Sequence, residues 1–304
     1  MRAPPSAGPH QERQRPSRKV RMEPERTPTA VWRVATDQLA GVLFWLIPAA
    51  VVLFLLLPIV VSVFLSFDDR EFLGAFPPTK FSLRWYRSFF DNPAYLQGLF
   101  TSLKLALLST AISVVAGTAA AVALAETHWR GRHLLETLFL SPKLVPTVVI
   151  GFSILGMASA IHIFDAFTRL IMGHVIITIP FTIRAALASL VGIRKSIIEA
   201  ATSLGASPWR AFLDVTLPLA KTGIIAGGLL AFVLSFDEVA VSLFLADAYS
   251  QTLPIALVAE MRTNLNLTVA AVSTVFSLLT VLIVIFLDRT TGLDNVIGKG
   301  LYSG

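Results

Sequence analysis

Two acidic residues stand side by side in one of the most apolar stretches of the chain, Asp237 and Glu238 in LAFVLSFDEVAVSLFL. An ionised carboxylate at the centre of a membrane helix costs roughly 2.5–3.5 kcal/mol on insertion scales, so charges placed there face a cavity or a partner. Counted from Lys221 at 1.5 Å per residue, Asp237 lies about 24 Å along its helix. That is inside a hydrocarbon core of about 30 Å, in its outer part. Neighbouring helical residues are about 100° apart, so the two acids cannot point along one direction. Two readings are open: carboxylates that attract a cation, or acids that are protonated, bonded between helices or paired with a partner subunit. Three other charges in apolar surroundings, Lys104, Lys143 and Arg184, lie near the expected span ends, where long side chains snorkel to water. His174, in mid-span, reads as a hydrogen-bonded helix contact.

Other chemistries find no residues. There is no G-x-x-x-x-G-K-[ST] to cradle nucleotide phosphates and no G-x-S-x-G nucleophile turn. The five histidines, His10, His128, His133, His162 and His174, show no metal-ligand spacing. The chain has no cysteine, which removes disulfides and thiolate metal sites. No catalytic site, cofactor or metal is expected.

The elements that must carry the acids are membrane spans. The 304 residues are 55% hydrophobic and 14% charged, with a mean hydropathy of +0.72, against about 25% charged in an ordinary soluble domain. Residues 1–38 are rich in Arg, Pro and Glu without apolar periodicity, and read as a disordered basic tail. The run that follows is too long for a signal peptide and ends without a small-residue cleavage site. Six spans are expected, at about 39–67, 98–125, 135–160, 166–190, 220–246 and 265–287, followed by a polar tail at 291–304. The second is rich in Ala, Ser, Thr and Gly, which predicts close helix packing. Between the first two, Phe81, Trp85, Tyr86, Phe89 and Phe90 predict a short interfacial helix. A loop with Tyr249, Pro254 and Arg262 joins the last two.

Six spans leave both termini on one side. The tails at 1–38 and 288–304, the turn 126–134 and the segment 191–221 carry sixteen of the 25 Lys and Arg residues. The opposite loops carry Arg70, Lys80, Arg84, Arg87, Arg169 and Arg262. Positive charge stays inside, so both termini and the segment 191–221 are expected on the cytoplasmic side. The net charge of +6 follows from this topology and calls for no nucleic acid.

Between the fourth and fifth spans lies SIIEAATSLGASPWRAFLDVTLP, residues 196–218. Ser196 and Glu199 have the spacing of a capping box. Gly205 can end the helix in the left-handed conformation. Ser207 and Pro208 can start a second helix, Arg210 and Asp214 can pair across one turn, and Pro218 closes the segment.

Here the residues resemble a known family. Glu199-Ala200-Ala201, Gly205 and Val215-x-Leu217-Pro218, at these gaps, resemble the EAA motif of ABC-importer permease subunits, with Val215 where the family has Ile. The likeness extends over about 39–290, through FSLRWYRSFF, TSLKLAL, LFLSPKLVPTVVIG and LAFVLSFDEVAVSLFL. It is strongest to the second permease subunit of spermidine/putrescine-type importers. The resemblance implies an all-α integral membrane protein with the type I ABC importer fold. It further implies that 196–218 docks on cytoplasmic ATP-binding subunits, through Glu199, Ala200, Ala201, Gly205, Leu217 and Pro218. A homologous second permease subunit and an extracytoplasmic solute-binding protein are implied as partners. An acid of the fifth span, Asp237 or Glu238, would lie on the path of a polyamine, although the family pair is usually Asp-Asp. Relatives on the same scaffold carry ferric iron, thiamine or aminoethylphosphonate. An autonomous secondary transporter or channel is the alternative; it has no use for an EAA loop, and no inverted repeat is visible.

Overall fold

The computed structural model describes residues 28–71, 74–126, 131–263 and 266–291. The expected tails at 1–27 and 292–304 lie outside them. Among the described residues the regular structure is helical: α1 Pro28–Ser66, α2 Arg84–Asp91, α3 Pro93–Glu126, α4 Arg132–Leu140, α5 Thr147–Ala160, α6 Ala166–Val191, α7 Lys195–Ser203, α8 Pro208–Ala211, α9 Leu217–Phe236, α10 Ala240–Leu245, α11 Leu253–Thr263 and α12 Thr268–Thr291. The chain divides into two units between Leu57 and Pro58, inside α1. The first is a helix over 28–57, so residues 28–38, expected to be disordered, are helical. All packing described below belongs to the second unit.

Among the described residues, five helical stretches are long and apolar enough to cross a membrane: Leu43–Ser66, Pro93–Glu126, Ala166–Val191, Pro208–Phe236 and Thr268–Phe286. The expected third span, 135–160, is the exception. It is split into α4, a 3-10 turn at Ser141–Leu144 and α5. Proline is the cause. Pro142 and Pro146 donate no N–H, and a residue before proline is pushed out of the helical region, so Val145 cannot join the two parts. At 14 residues, α5 reaches about 21 Å, short of a 30 Å core.

The core is built on α3, α6 and α9. Leu105, Ile150, Ile154, Leu170, Ile177, Val241 and Leu245 form one cluster. Phe89, Tyr95, Phe232, Phe236, Leu253 and Phe276 centre another. The buried face of α3 runs through Ser102, Ser109, Ser113, Gly117 and Ala121, the close-packing small residues expected there. Lys104 and Arg184 are exposed on their helices. The short aromatic helix appears as α2, with Trp85 and Phe89 buried. Trp85 Nε1 donates to the carbonyl of Asp68 at 2.7 Å. The Asp68 carboxylate accepts from Arg70 Nε at 2.9 Å. These guanidinium bonds hold the Asp68 carboxyl below its ordinary pKa. The expected loop around Pro254 is largely the helix α11.

Candidate functional site

The helix that carries the two acids stops beneath them. The expected span over 220–246 ends at Phe236; Asp237 is its C-cap, and α10 restarts at Ala240. No proline or glycine breaks it. Glu238 does so with its own side chain: Oε1 accepts from the backbone N–H of Val241 at 3.0 Å, an acidic side chain taking up a backbone donor and so favouring a helix start. Ser242 Oγ donates to the Glu238 carbonyl at 3.0 Å. The helical-wheel argument for the pair therefore does not apply. Asp237 is exposed and Glu238 partly buried, so the two are distinguished by the break and not by an angle on one helix.

His174 lies against this break. It is fully buried and hydrogen-bonded as expected, Nδ1 to Ser235 Oγ at 2.8 Å and Nε2 to Ser242 Oγ at 2.9 Å. Ser235 in turn meets Ser109 Oγ of α3 at 2.8 Å. The sequence marks the histidine but not its partners. Isolated serines in apolar runs are the signal, and they are common in membrane helices.

The 195–218 loop is positioned by the ends of α6 and α9. Its first helix begins two residues early, at Lys195, with Arg194 in place of Ser196 as N-cap and no side-chain bond to it. Ser196 is therefore inside the first turn and the capping box does not form. At the other end Gly205 has φ +94°. The N–H of Ala206 donates to the Ala201 carbonyl at 3.1 Å and that of Gly205 to Thr202 at 3.0 Å, the paired bonds of a Schellman motif. Ser207 then caps α8, its Oγ accepting from the Arg210 N–H at 3.4 Å, with Pro208 in the first turn.

Pro218 does not close this segment. The helix runs on from Pro208 to Phe236, through a π turn at Phe212–Thr216. Pro218 offers no N–H to the carbonyl four residues back, and widening the turn is one way a helix accommodates that loss. The expected pairing of Arg210 with Asp214 is not formed: no ion pair joins them among the described residues.

No residue of α7 is buried. Glu199 and Ala200 are exposed, Ala201 and Leu217 partly so, and Pro218 is exposed. Leu204 is 90% and Trp209 67% exposed. Ile198 and Ala201 are partly buried, and the rest of the nine-residue α7 faces outward. Trp209 is the residue that sequence reading passed over; a tryptophan in a polar-flanked loop was the available signal. The described residues contain no group of His, Asp and Glu side chains fit to hold a metal.

Residues 113–291 match the family model of the binding-protein-dependent transport system inner membrane component. The chain belongs to this family. The chain is therefore a multi-pass inner-membrane transport subunit and not an enzyme. Family relatives include the spermidine/putrescine transport system permease protein PotC of Haemophilus influenzae, 27% identical over 71% of this chain and 84% of the relative. The PotC protein of Escherichia coli is 29% identical over 67% and 78%, and the putrescine transport system permease protein PotI of the same species 29% over 64% and 71%. Among solved structures, a bacterial ABC transporter that imports alginate has a TM-score of 0.68, with 14% identity over 86% of this chain and 98% of that one. The MetNI methionine ABC transporter has a TM-score of 0.56, with 20% identity over 64% and 94%. The fold is that of ABC importer permeases, with the third helix broken.

Proposed function

We propose that this chain forms half of the translocation path of an ATP-driven importer for a small organic cation of the polyamine class. The observation that carries the substrate reading is the break at 237–239, where a long apolar helix ends on an exposed carboxylate. A carboxylate at the end of such a helix attracts a cation more strongly than it would in bulk water, because the surroundings are less polarisable. The names of the PotC and PotI relatives support the same class. In this reading α7 and the turn at Gly205 dock on cytoplasmic ATP-binding subunits through Glu199, Ala200, Ala201 and Gly205, with Leu217 and Pro218 anchoring the return into the membrane. A second permease subunit completes the path, and an extracytoplasmic solute-binding protein delivers the solute.

The basic-residue bias supports an orientation with both termini and the 195–218 loop in the cytoplasm. A reporter fused after about residue 210 should then read as cytoplasmic, and one at about residue 80 as external. Exchanged signals would overturn the orientation.

The substrate reading is tested by uptake of labelled spermidine and putrescine into vesicles holding the assembled complex. Asp237→Asn keeps size and hydrogen bonding but removes the charge. It should lower uptake about tenfold, the equivalent of roughly 1.4 kcal/mol, with assembly and basal ATP hydrolysis retained. Glu238→Gln should do less, because that side chain is already engaged with the Val241 N–H. Undiminished uptake by Asp237→Asn would take the residue off the path. No polyamine uptake by the unaltered protein would leave the transport role standing and move the solute to another class, such as ferric iron, thiamine or aminoethylphosphonate.

A further inference from the structure

His174 hydrogen-bonds to both sides of the acidic break. Its ring nitrogens do not bond to two arbitrary neighbours. Ser235 is in the last turn of α9, before Asp237, and Ser242 is in α10, after Glu238. His174 and Ser242 are fully buried and Ser235 is 3% exposed, so water does not compete for these bonds. The ring is itself anchored. Ser235 meets Ser109 Oγ of α3 at 2.8 Å, and the one Ser109 proton goes either there or to the Leu105 carbonyl. On the other side Ser242 reaches back to the Glu238 carbonyl. A single side chain on α6 thus spans a chain interruption whose own connection is only Asp237, Glu238 and Val239.

We propose that His174 is a positioning residue for the acidic break: by holding Ser235 and Ser242 on one ring it fixes α10 relative to α9, and so fixes where Asp237 is presented. Its importance for transport rests on Asp237 lying on the solute path; the geometric claim does not. A buried histidine that only needed partners would be satisfied equally by two groups on one helix. A clamp requires both arms at once, one on each side of the break.

The chain has no native cysteine, so Asp237→Cys gives a single thiol at the break. Its rate of reaction with a cationic methanethiosulfonate is measured in the membrane-embedded complex. With His174→Phe the rate should change about fivefold, the scale of a lost buried hydrogen bond, while a reference thiol from Thr79→Cys, on an exposed loop before α2, reacts as before. His174→Asn keeps a polar atom near the Nδ1 position and His174→Gln one near Nε2, so each retains one arm. Neither should restore the rate. Ser242→Ala cuts the α10 arm with little change of volume and should shift the rate in the same direction; it carries the test if the phenylalanine variant does not accumulate. An unchanged rate in Ser242→Ala, or full restoration by either amide, would overturn the proposal. None of these outcomes depends on which solute is carried, so a failed polyamine assignment would leave them readable.

Discussion

Replacing Gly205 by valine should leave the protein in the membrane and lower substrate-stimulated ATP hydrolysis by its complex about tenfold. Gly205 sits at φ +94°, a conformation that glycine adopts freely and a β-branched residue resists. The penalty is about 1–3 kcal/mol for one residue held in a sparsely populated region, and it falls on a motif with little to spare. The Schellman bonds from Ala206 and Gly205 end a helix with no fully buried residue. If the turn opens, only the partly buried Ile198 and Ala201 are left to hold α7, and Leu204 and Glu199 lose their fixed places. Space is not the obstacle, since no atom lies within 4 Å of where the new Cβ would stand; insertion and the transmembrane packing should survive. Thr202→Ala is the control. Its hydroxyl donates only to the Glu199 carbonyl at 2.9 Å on an exposed face, where a substitution is usually worth within about 0.5 kcal/mol. Glu199→Ala should resemble Gly205→Val if the exposed carboxylate contacts the ATP-binding subunit. Wild-type stimulation in both Gly205→Val and Glu199→Ala would remove the coupling role from this loop.

The second large effect is expected where α6 and α9 touch. A Cβ built on Gly223 would lie 2.3 Å from Ser189 Oγ and 2.6 Å from the Ala185 carbonyl oxygen. The serine can turn aside, but the carbonyl belongs to a helix backbone and cannot. Ser189 is also engaged, donating towards the Ala220 carbonyl at 3.2 Å. Alanine at this position must push the two helices apart, at about 1–3 kcal/mol for overpacking. Leucine should prevent assembly altogether. Gly156 supplies the contrast: a Cβ there meets nothing within 4 Å, and alanine is the better helix former by about 1 kcal/mol. In thermal unfolding of the purified protein, Gly223→Ala should therefore melt below the unaltered chain and Gly156→Ala at or above it. A Gly223→Ala variant that melts at the wild-type temperature would show that α6 and α9 are not packed as described.

These two glycines also mark what could be read from residue order and what could not. Gly205 declared itself, because a helix-ending glycine followed by Ser207-Pro208 is a local signal with a local cause. Gly223 did not, because its requirement comes from Ala185 and Ser189 on another helix. The same division runs through the rest. Apolar length located α3, α6 and α12 well, and the small-residue face of α3 was legible as a packing face. The break of the third span was written in Pro142 and Pro146, yet hydropathy alone ran across it. The stop at Asp237 was not legible, since it depends on Glu238 capturing the Val241 N–H and not on a helix-breaking residue. Ser196 and Glu199 had capping-box spacing, but α7 is capped at Arg194, two residues sooner than that spacing required. Pro218 read as an end and proved to be interior, accommodated by the π turn that precedes it.

The central claim is that solute movement through this subunit is driven by ATP hydrolysed elsewhere. Labelled spermidine uptake should therefore be followed in proteoliposomes holding the complete complex, with ATP or a non-hydrolysable analogue on the side of the 195–218 loop and the solute-binding protein on the other. Uptake that requires both ATP hydrolysis and the binding protein is the predicted result. Uptake that continues with the analogue, or without ATP-binding subunits, would contradict it and identify the chain as an autonomous transporter or channel.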